Sequence, residues 1–406
     1  MLLLLLQIAV ILALSRVMRW VFAAFRQPAV IGEMVAGLML GPSCFGWLMP
    51  AAFANLFSPP TLPSLNVLSQ IGLVAFMFLV GLRLRSHSLG AKRRVAIVLS
   101  GASIVVPFAL GALLASAVHQ DLAPAGVGVL PFALFIGAAM SITAFPVLAR
   151  ILLEHELLTT ELGMLAITCA AFDDVTGWLI LAGILTLVQS GTAQAFAGRI
   201  VLFFGYLAVM ALVVRPALGR LARTREAVRL GVFVLIVVAS AAATDALGVH
   251  ALFGAFFAGL MMPPGAELEQ SITRRVEPVT MTVLVPLFFA STGLRTNVQL
   301  IDSAALWLIA ALFLATAIIG KGAASMVAGR VMGMQWREAA AIGVLLNTRG
   351  LIELVILNIG LELGILSPIV YSMLVLMALI TTFMASPLIA ALLGRGATLS
   401  GSPNPA

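Results

Sequence analysis

The chain has 406 residues, of which 62% are hydrophobic and only 10% charged. Soluble globular proteins carry about 25% charged residues, so this composition excludes a water-soluble fold and makes lipid the solvent. The net charge of +7 sits in short loops between apolar runs, where it marks membrane orientation and does not argue for a nucleic-acid partner.

The chain opens on a leucine-rich run with no basic segment before it and no small-residue cleavage site after it. It therefore reads as a retained first span and not as a signal peptide. A spanning helix needs about 20 apolar residues. Thirteen candidates follow in order: 1–22, 28–48, 65–82, 95–118, 127–149, 162–188, 196–214, 228–244, 247–262, 279–296, 304–330, 338–361 and 368–393. No stretch between them is long and polar enough for a soluble domain. Residues 1–406 read as one transmembrane domain without a cytosolic regulatory domain. With the N-terminus outside, nineteen of the 23 basic residues fall on the inner side; Arg199 and Arg295 fall outside, and Lys321 and Arg349 fall within spans. That asymmetry predicts an external N-terminus and a cytoplasmic C-terminus. Cys44 and Cys169 are isolated and define neither a disulfide framework nor a metal site. The four histidines are scattered, with no metal-ligand spacing, and read as solvated loop residues.

Two stretches recur. VAGLMLGP at 35–42 matches FAGLMMPP at 257–264, and Phe76 with Gly81-Leu82-Arg83 matches Phe288 with Gly293-Leu294-Arg295. Each match pairs span n with span n+7. An odd shift reverses orientation, so the pattern predicts inverted-topology repeats, a plan that places a binding site near the midplane. The same shift pairs span 5 with span 12. Span 5 carries Ser141, Thr143 and Pro146, and span 12 carries Asn347, Thr348, Arg349 and Gly350. Proline and glycine at mid-depth free backbone groups that protein or a cavity must satisfy. The expectation is two discontinuous helices whose ends face an ion site; two merely kinked helices are the alternative.

Six charged residues fall inside spans: Glu33, Asp173, Asp174, Lys321, Arg349 and Glu353. Asp, Lys and Arg each cost roughly 2.5–3.5 kcal/mol near the centre of a spanning helix, so each needs a partner or a function. Asp173 and Asp174 are neighbours on span 6 and point about 100° apart. One is expected to meet a cation from another helix and the other an aqueous cavity. A buried carboxylate pair that holds either protons or a cation, but not both fully, suffices for coupled exchange. Lys321 lies mid-span between Gly320 and Gly322, which permit close helix approach. It is the natural partner for one aspartate, against the alternative of snorkelling. Arg349 and Glu353, four apart, read as a structural ion pair. Glu33 either meets Arg26 or lines a funnel.

These residues resemble monovalent cation:proton antiporter family 2 of the sodium/proton exchanger superfamily. The resemblance runs over nearly the whole chain, through QPAVIGEMVAGLMLGPS, GLVAFMFLVGL, SITAFPVLARIL, AAFDDVTGW, PLFFASTGLRTNV and NTRGLIELVILNIG. SITAFPVLAR and NTRGLIELVILNIG are especially similar to plant cation/proton exchangers and their bacterial relatives. The resemblance implies an all-α antiporter fold. A dimerisation bundle would come from about 1–82 and 196–296, and a core ion-transport bundle from about 95–188 and 304–393. It implies a monovalent cation at Asp174, the matched ion-binding aspartate, and a salt bridge between Asp173 and Lys321. It also implies exchange of Na+ or K+ for H+, electrogenic and of elevator type, by a homodimer in a bacterial inner membrane. No cofactor and no enzymatic activity are implied. Plant exchangers commonly carry Asn before the aspartate; Asp173 departs from that, so their potassium preference does not simply carry over. An organic-anion carrier of the same broad fold fits Lys321 and the Asp pair poorly. An intramembrane aspartyl protease needs carboxylates that converge on one peptide, which neighbours on one helix cannot do.

Overall fold

The chain is almost wholly helical in the computed structural model, which describes residues 1–25, 27–84, 93–155, 157–158, 160–190, 193–221, 226–247, 250–263 and 266–393. Residues 84, 93, 146, 150, 153–154, 175, 189–190, 193, 195–196, 221, 226–230 and 266–269 are described by backbone only. Arg26, Arg85, His87, Lys92, Arg223, Arg225 and Arg395, together with the side chains of Pro146, Arg150 and Arg229, thus lie outside the described residues. The helical outcome follows from the solvent. In hydrocarbon every backbone N–H and C=O must pair within the protein, and a helix does so inside its own segment.

In chain order the helices are α1 (Leu2–Ala24), α2 (Ala29–Gly46), α3 (Pro50–Arg83), α4 (Arg93–Ala117), α5 (Val129–Ser141), α6 (Phe145–Glu154), α7 (Glu161–Ser190) and α8 (Ala197–Arg220). They continue as α9 (Glu226–Ala246), α10 (Ala251–Leu260), α11 (Gln270–Leu300), α12 (Ala304–Val331), α13 (Trp336–Leu346), α14 (Leu351–Glu362) and α15 (Pro368–Leu393). Among the described residues nine helices are long and apolar enough to cross a membrane, and ten if α13 and α14, bent by 40°, form one broken span. The sequence reading of thirteen spans also needs the apolar stretches Val129–Ser141, Gly231–Ala246 and Ala251–Leu260, which are shorter than a bilayer-crossing helix. Among the described residues, length and apolarity by themselves support nine or ten spans, and the count of thirteen rests on the three shorter helices as well.

The chain packs as two compact units. The first is Met1–Ala13, Ala51–Ser88 and Ile180–Ser291; the second is Leu14–Pro50, Leu89–Leu179 and Thr292–Ala406. Within the first, α10 packs on both α3 and α9. The α9–α10 contact is polar as well as close: Ser240 Oγ donates to the Gly254 carbonyl at 2.7 Å, and the Gly254 N–H donates to Thr244 Oγ1 at 3.1 Å. Within the second unit, α4 packs on α5 and on the middle of α12.

The glycines of the repeated stretches explain why those stretches recur. In the second unit, a Cβ on Gly293 falls on the Gly37 carbonyl, and one on Gly41 falls on the Gly293 carbonyl. In the first unit, a Cβ on Gly259 falls on the Phe78 carbonyl, and one on Gly81 falls on the Phe256 carbonyl. The repeat maps Gly37 onto Gly259 and Gly81 onto Gly293, so one backbone crossing is the image of the other. Small residues are what let spanning helices approach this closely. Gly293→Ala is expected to lower the midpoint of thermal unfolding in detergent by the equivalent of about 1–3 kcal/mol, because backbone cannot yield to the added methyl. Gly101→Ala, where a Cβ meets nothing, is the matched control.

The described histidines are half-buried, and each meets a protein partner. His119 Nε2 lies 2.8 Å from the Val127 carbonyl, His155 Nε2 lies 2.9 Å from Ser386 Oγ, and the His250 side chain accepts from the Leu252 N–H at the start of α10. Each serves a helix end or a helix contact. Spacing along the chain carries no signal for such partners.

Candidate functional site

Two breaks cross in the second unit. α5 ends at Ser141, the backbone turns extended at Ile142, and α6 resumes at Phe145. α13 ends at Leu346, and α14 resumes at Leu351 after Asn347, Thr348, Arg349 and Gly350. A helix end strands N–H and C=O groups, and here each break satisfies the other. The Ala144 N–H donates to the Thr348 carbonyl at 3.1 Å, and Thr143 Oγ1 donates to the Leu346 carbonyl at 3.0 Å. A Cβ on Gly350 would meet Val147 and Ala144 at 2.7 and 3.4 Å, so glycine is what allows the crossing. The Thr382 hydroxyl, from α15, accepts the Arg349 N–H at 3.0 Å and secures the second break.

The C-terminal carbonyls of α5 receive two buried cations. Arg349 donates from Nη1 to the Ala139 carbonyl at 3.1 Å and from Nη2 to the Met140 carbonyl at 2.8 Å. Lys321 Nζ donates to the Ser141 carbonyl. A helix C-terminus carries about half a negative charge, so both cations sit where the peptide dipoles favour them. Arg349 also meets Glu353 at 3.1 Å, and the two side chains are 0% and 1% exposed. Glu353 Oε2 has no partner among the described residues.

Lys321 sits in a π-helical turn, Ile318–Ala323, within α12. Such turns interrupt the regular ladder and frequently mark functional sites. Its Nζ lies 3.5 Å from Asp173 Oδ2, with both side chains fully buried. The same carboxylate oxygen accepts from Ser103 Oγ at 2.8 Å and lies 2.6 Å from Thr143 Oγ1, whose single proton is shared between it and the Leu346 carbonyl. Thr143 thereby ties the first break to both the aspartate and the second break. Gly177, one turn beyond Asp173 on α7, leaves room for Ile142 of that break.

Asp174 differs from its neighbour. It too is fully buried, rather than open to a cavity as its helical direction suggested. Among the described residues no donor reaches either of its oxygens with hydrogen-bond geometry. The Phe145 N–H, at the start of α6, acts on it short of such a bond. A buried carboxylate left this way is costly unless something neutralises it.

The structure therefore gathers Asp173, Lys321, Ser141 and Thr143 into one contact cluster. Arg349, Glu353, Thr348 and Gly350 adjoin it across the crossing. Asn347 is buried at the end of α13 with its Oδ1 unpartnered among the described residues. Pro146 is placed by its backbone alone, in the first turn of α6. Glu33 stands apart, 3.5 Å from Arg19. Sequence reasoning missed Ser103 and Thr382. The one available signal for Ser103 is its spacing with Ser100 at i,i+3 within an apolar span.

Comparison with known proteins agrees with this architecture. Residues 9–395 match the family described as Sodium/hydrogen exchanger, transmembrane. The Na(+)/H(+) antiporter NhaS4 of Synechocystis sp. is 43% identical over 399 residues, covering 96% of each chain. Cation/H(+) antiporter 17 of Arabidopsis thaliana is 37% identical over 98% of this chain, and K(+)/H(+) antiporter 1 of Saccharomyces cerevisiae is 32% identical over 94% of it. The chain spans 49% and 45% of the lengths of those two relatives. The solved structure of the sodium proton antiporter MjNhaP1 from Methanocaldococcus jannaschii shares the fold, with a TM-score of 0.62 at 16% identity, covering 97% of this chain and 99% of that one.

Proposed function

The chain belongs to the sodium/hydrogen exchanger family, and from that premise we propose that it exchanges Na+ or K+ for protons at Asp174. It is an integral membrane antiporter, not an enzyme. The observation that carries the site is the fully buried Asp174 carboxylate, with no hydrogen-bond partner for either oxygen among the described residues. Among the described residues, the buried ionisable groups at the crossing are two cations, Lys321 and Arg349, and three carboxylates, Asp173, Asp174 and Glu353. Arg349 pairs with Glu353, and Lys321 with Asp173. One negative charge is left over, at Asp174. A single proton or a single monovalent cation neutralises it, and the two compete for the same oxygens. Competition at one buried charge is the minimum requirement for obligatory exchange.

The partners support the same reading. A cation arriving at Asp174 also attracts Asp173, which loosens the hold of Asp173 on Lys321. A buried lysine releases its proton when its partner rearranges, so the reading includes electrogenic exchange with more protons than cations moved per cycle. Alternating access is proposed as an elevator movement of the core bundle, about 95–188 and 304–393. Residues about 1–82 and 196–296 would form the dimerisation bundle of a homodimer. The proposed location is a bacterial inner membrane, and the basic-residue asymmetry supports an external N-terminus and a cytoplasmic C-terminus there. The names of the relatives cover both sodium and potassium.

Dissipation of an imposed proton gradient in proteoliposomes tests this reading, with lithium, sodium, potassium and rubidium added in turn. Sodium or potassium is expected to collapse the gradient, and a membrane potential to change the rate. A gradient that ignores all four cations overturns the proposal. A rate indifferent to potential overturns its electrogenic part alone.

A further inference from the structure

We infer that Pro107 is a positioning residue for the exchange site: its missing N–H leaves the Ser103 carbonyl free to hold the Lys321 ammonium. This rests on the reading of Asp173, Asp174 and Lys321 as the exchange machinery.

Helix α4 runs unbroken from Arg93 to Ala117 with Pro107 inside it. In a regular α-helix the N–H of residue 107 bonds the carbonyl of residue 103. Proline has no N–H, and its ring displaces that carbonyl. A carbonyl stranded inside a span must find a partner within the protein. Here the partner is Lys321, whose Nζ donates to the Ser103 carbonyl at 3.0 Å. The same ammonium donates to the Ser141 carbonyl, stranded where α5 ends, and lies 3.5 Å from Asp173. An ammonium has three donors. Two of them meet backbone carbonyls that helix-breaking chemistry has freed, and one faces a carboxylate.

Pro107 also shapes the approach of α12. A Cβ on Gly320, next to Lys321, would stand 3.1 Å from the Cα of Pro107, so the π-helical turn packs directly against the proline. Ser103 meanwhile donates its hydroxyl to Asp173 at 2.8 Å. The residue that proline frees thus touches both members of the ion pair. The other charged groups facing Lys321 are Asp174, Arg349 and Glu353. Two neutral carbonyls keep the lysine in place whatever the charge on Asp173. Asp173 can then take up a proton, or turn toward a cation, without releasing the lysine from the crossing.

Pro107→Ala supplies an N–H that competes for the Ser103 carbonyl. Its sodium- or potassium-driven proton flux in proteoliposomes is expected to fall roughly tenfold, the scale of one lost hydrogen bond to a charged group. The alkaline limb of its pH–rate profile is expected to move to lower pH. Lactic acid in place of Pro107, introduced by nonsense suppression, gives an ester that lacks the N–H as proline does. It is expected to restore both the wild-type rate and the wild-type profile. If the ester behaves like alanine, the ring matters and the missing donor does not, and the inference is overturned. Wild-type rate and profile in Pro107→Ala overturn it equally. If Pro107→Ala fails to fold, recovery of folding and exchange by the ester supports the inference, and failure of the ester overturns it. Flux retained in Asp174→Asn would instead remove the premise, so the two failures are distinguishable.

Discussion

Asp174→Asn is expected to reduce cation-driven proton flux in proteoliposomes to that of protein-free vesicles. Asparagine has the shape of aspartate but neither releases a proton near neutral pH nor supplies the negative charge that balances a cation. The site loses both of its competing ligands at once, and the unpaired charge at the crossing disappears. The variant is also expected to unfold no more readily than the wild type. The wild-type carboxylate is fully buried with neither oxygen bonded among the described residues. Leaving such a group unsatisfied costs about 1–3 kcal/mol or more, and the neutral amide reduces that cost. Loss of flux together with unchanged or raised thermal stability separates a transport role from a structural one. Exchange at the wild-type rate would remove Asp174 from the mechanism. A large drop in stability would mean that the carboxylate holds the fold.

Arg349→Met is expected to do the opposite and unfold the protein, at a cost of about 3–5 kcal/mol, because it removes one partner of a buried ion pair. The loss exceeds the pair with Glu353. The Ala139 and Met140 carbonyls at the end of α5 also lose their donors. The measurement is the midpoint of thermal unfolding in detergent. Arg349→Lys is expected to recover little of the lost stability. The Ala139 and Met140 carbonyls are met by two separate nitrogens of a rigid planar fork, and a single ammonium nitrogen does not reproduce that spacing. The double change of Arg349→Met with Glu353→Met is expected to melt above Arg349→Met alone, since no unpaired carboxylate then remains. Near-wild-type melting of Arg349→Met would show that the arginine is not what holds the crossing together.

These two outcomes divide the buried charges by what each side chain touches. Arg349 and Glu353 satisfy each other and a helix end, which is a structural arrangement. Lys321 and Asp173 satisfy each other only loosely, at 3.5 Å, with hydroxyls and carbonyls supplying the rest. That leaves the pair free to reorganise. Neither Asp174 oxygen has a hydrogen-bond partner among the described residues beyond the approach of the Phe145 N–H, and it is there that the proposed ligand binds.

The amino-acid sequence alone carries the solvent, the helical class, the recurring glycine motifs and the charged residues of the crossing. Each is a local or periodic quantity. Apolar run length, charge bias between loops, a pair of recurring glycine motifs and the rarity of ionisable groups in lipid all lie along one dimension. The four-residue spacing of Arg349 and Glu353 suggested their pair, although Arg349 lies in the break before α14 and reaches Glu353 from outside the helix. Which groups answer the stranded ends depends on the packed fold. Ser103 and Lys321 are 218 residues apart, and Arg349 and Ala139 are 210 apart. No periodicity links such positions; they meet because two broken helices cross and a proline-bearing helix packs beside them. The span count shows the same limit from the other side. Residues in broken or shortened helices are as apolar as those in full spans, so hydropathy counts segments without seeing where the backbone stops. The direction of Asp174 also needed the fold. Helical geometry separated it from Asp173, but only packing showed that it faces buried protein with both oxygens unpartnered among the described residues.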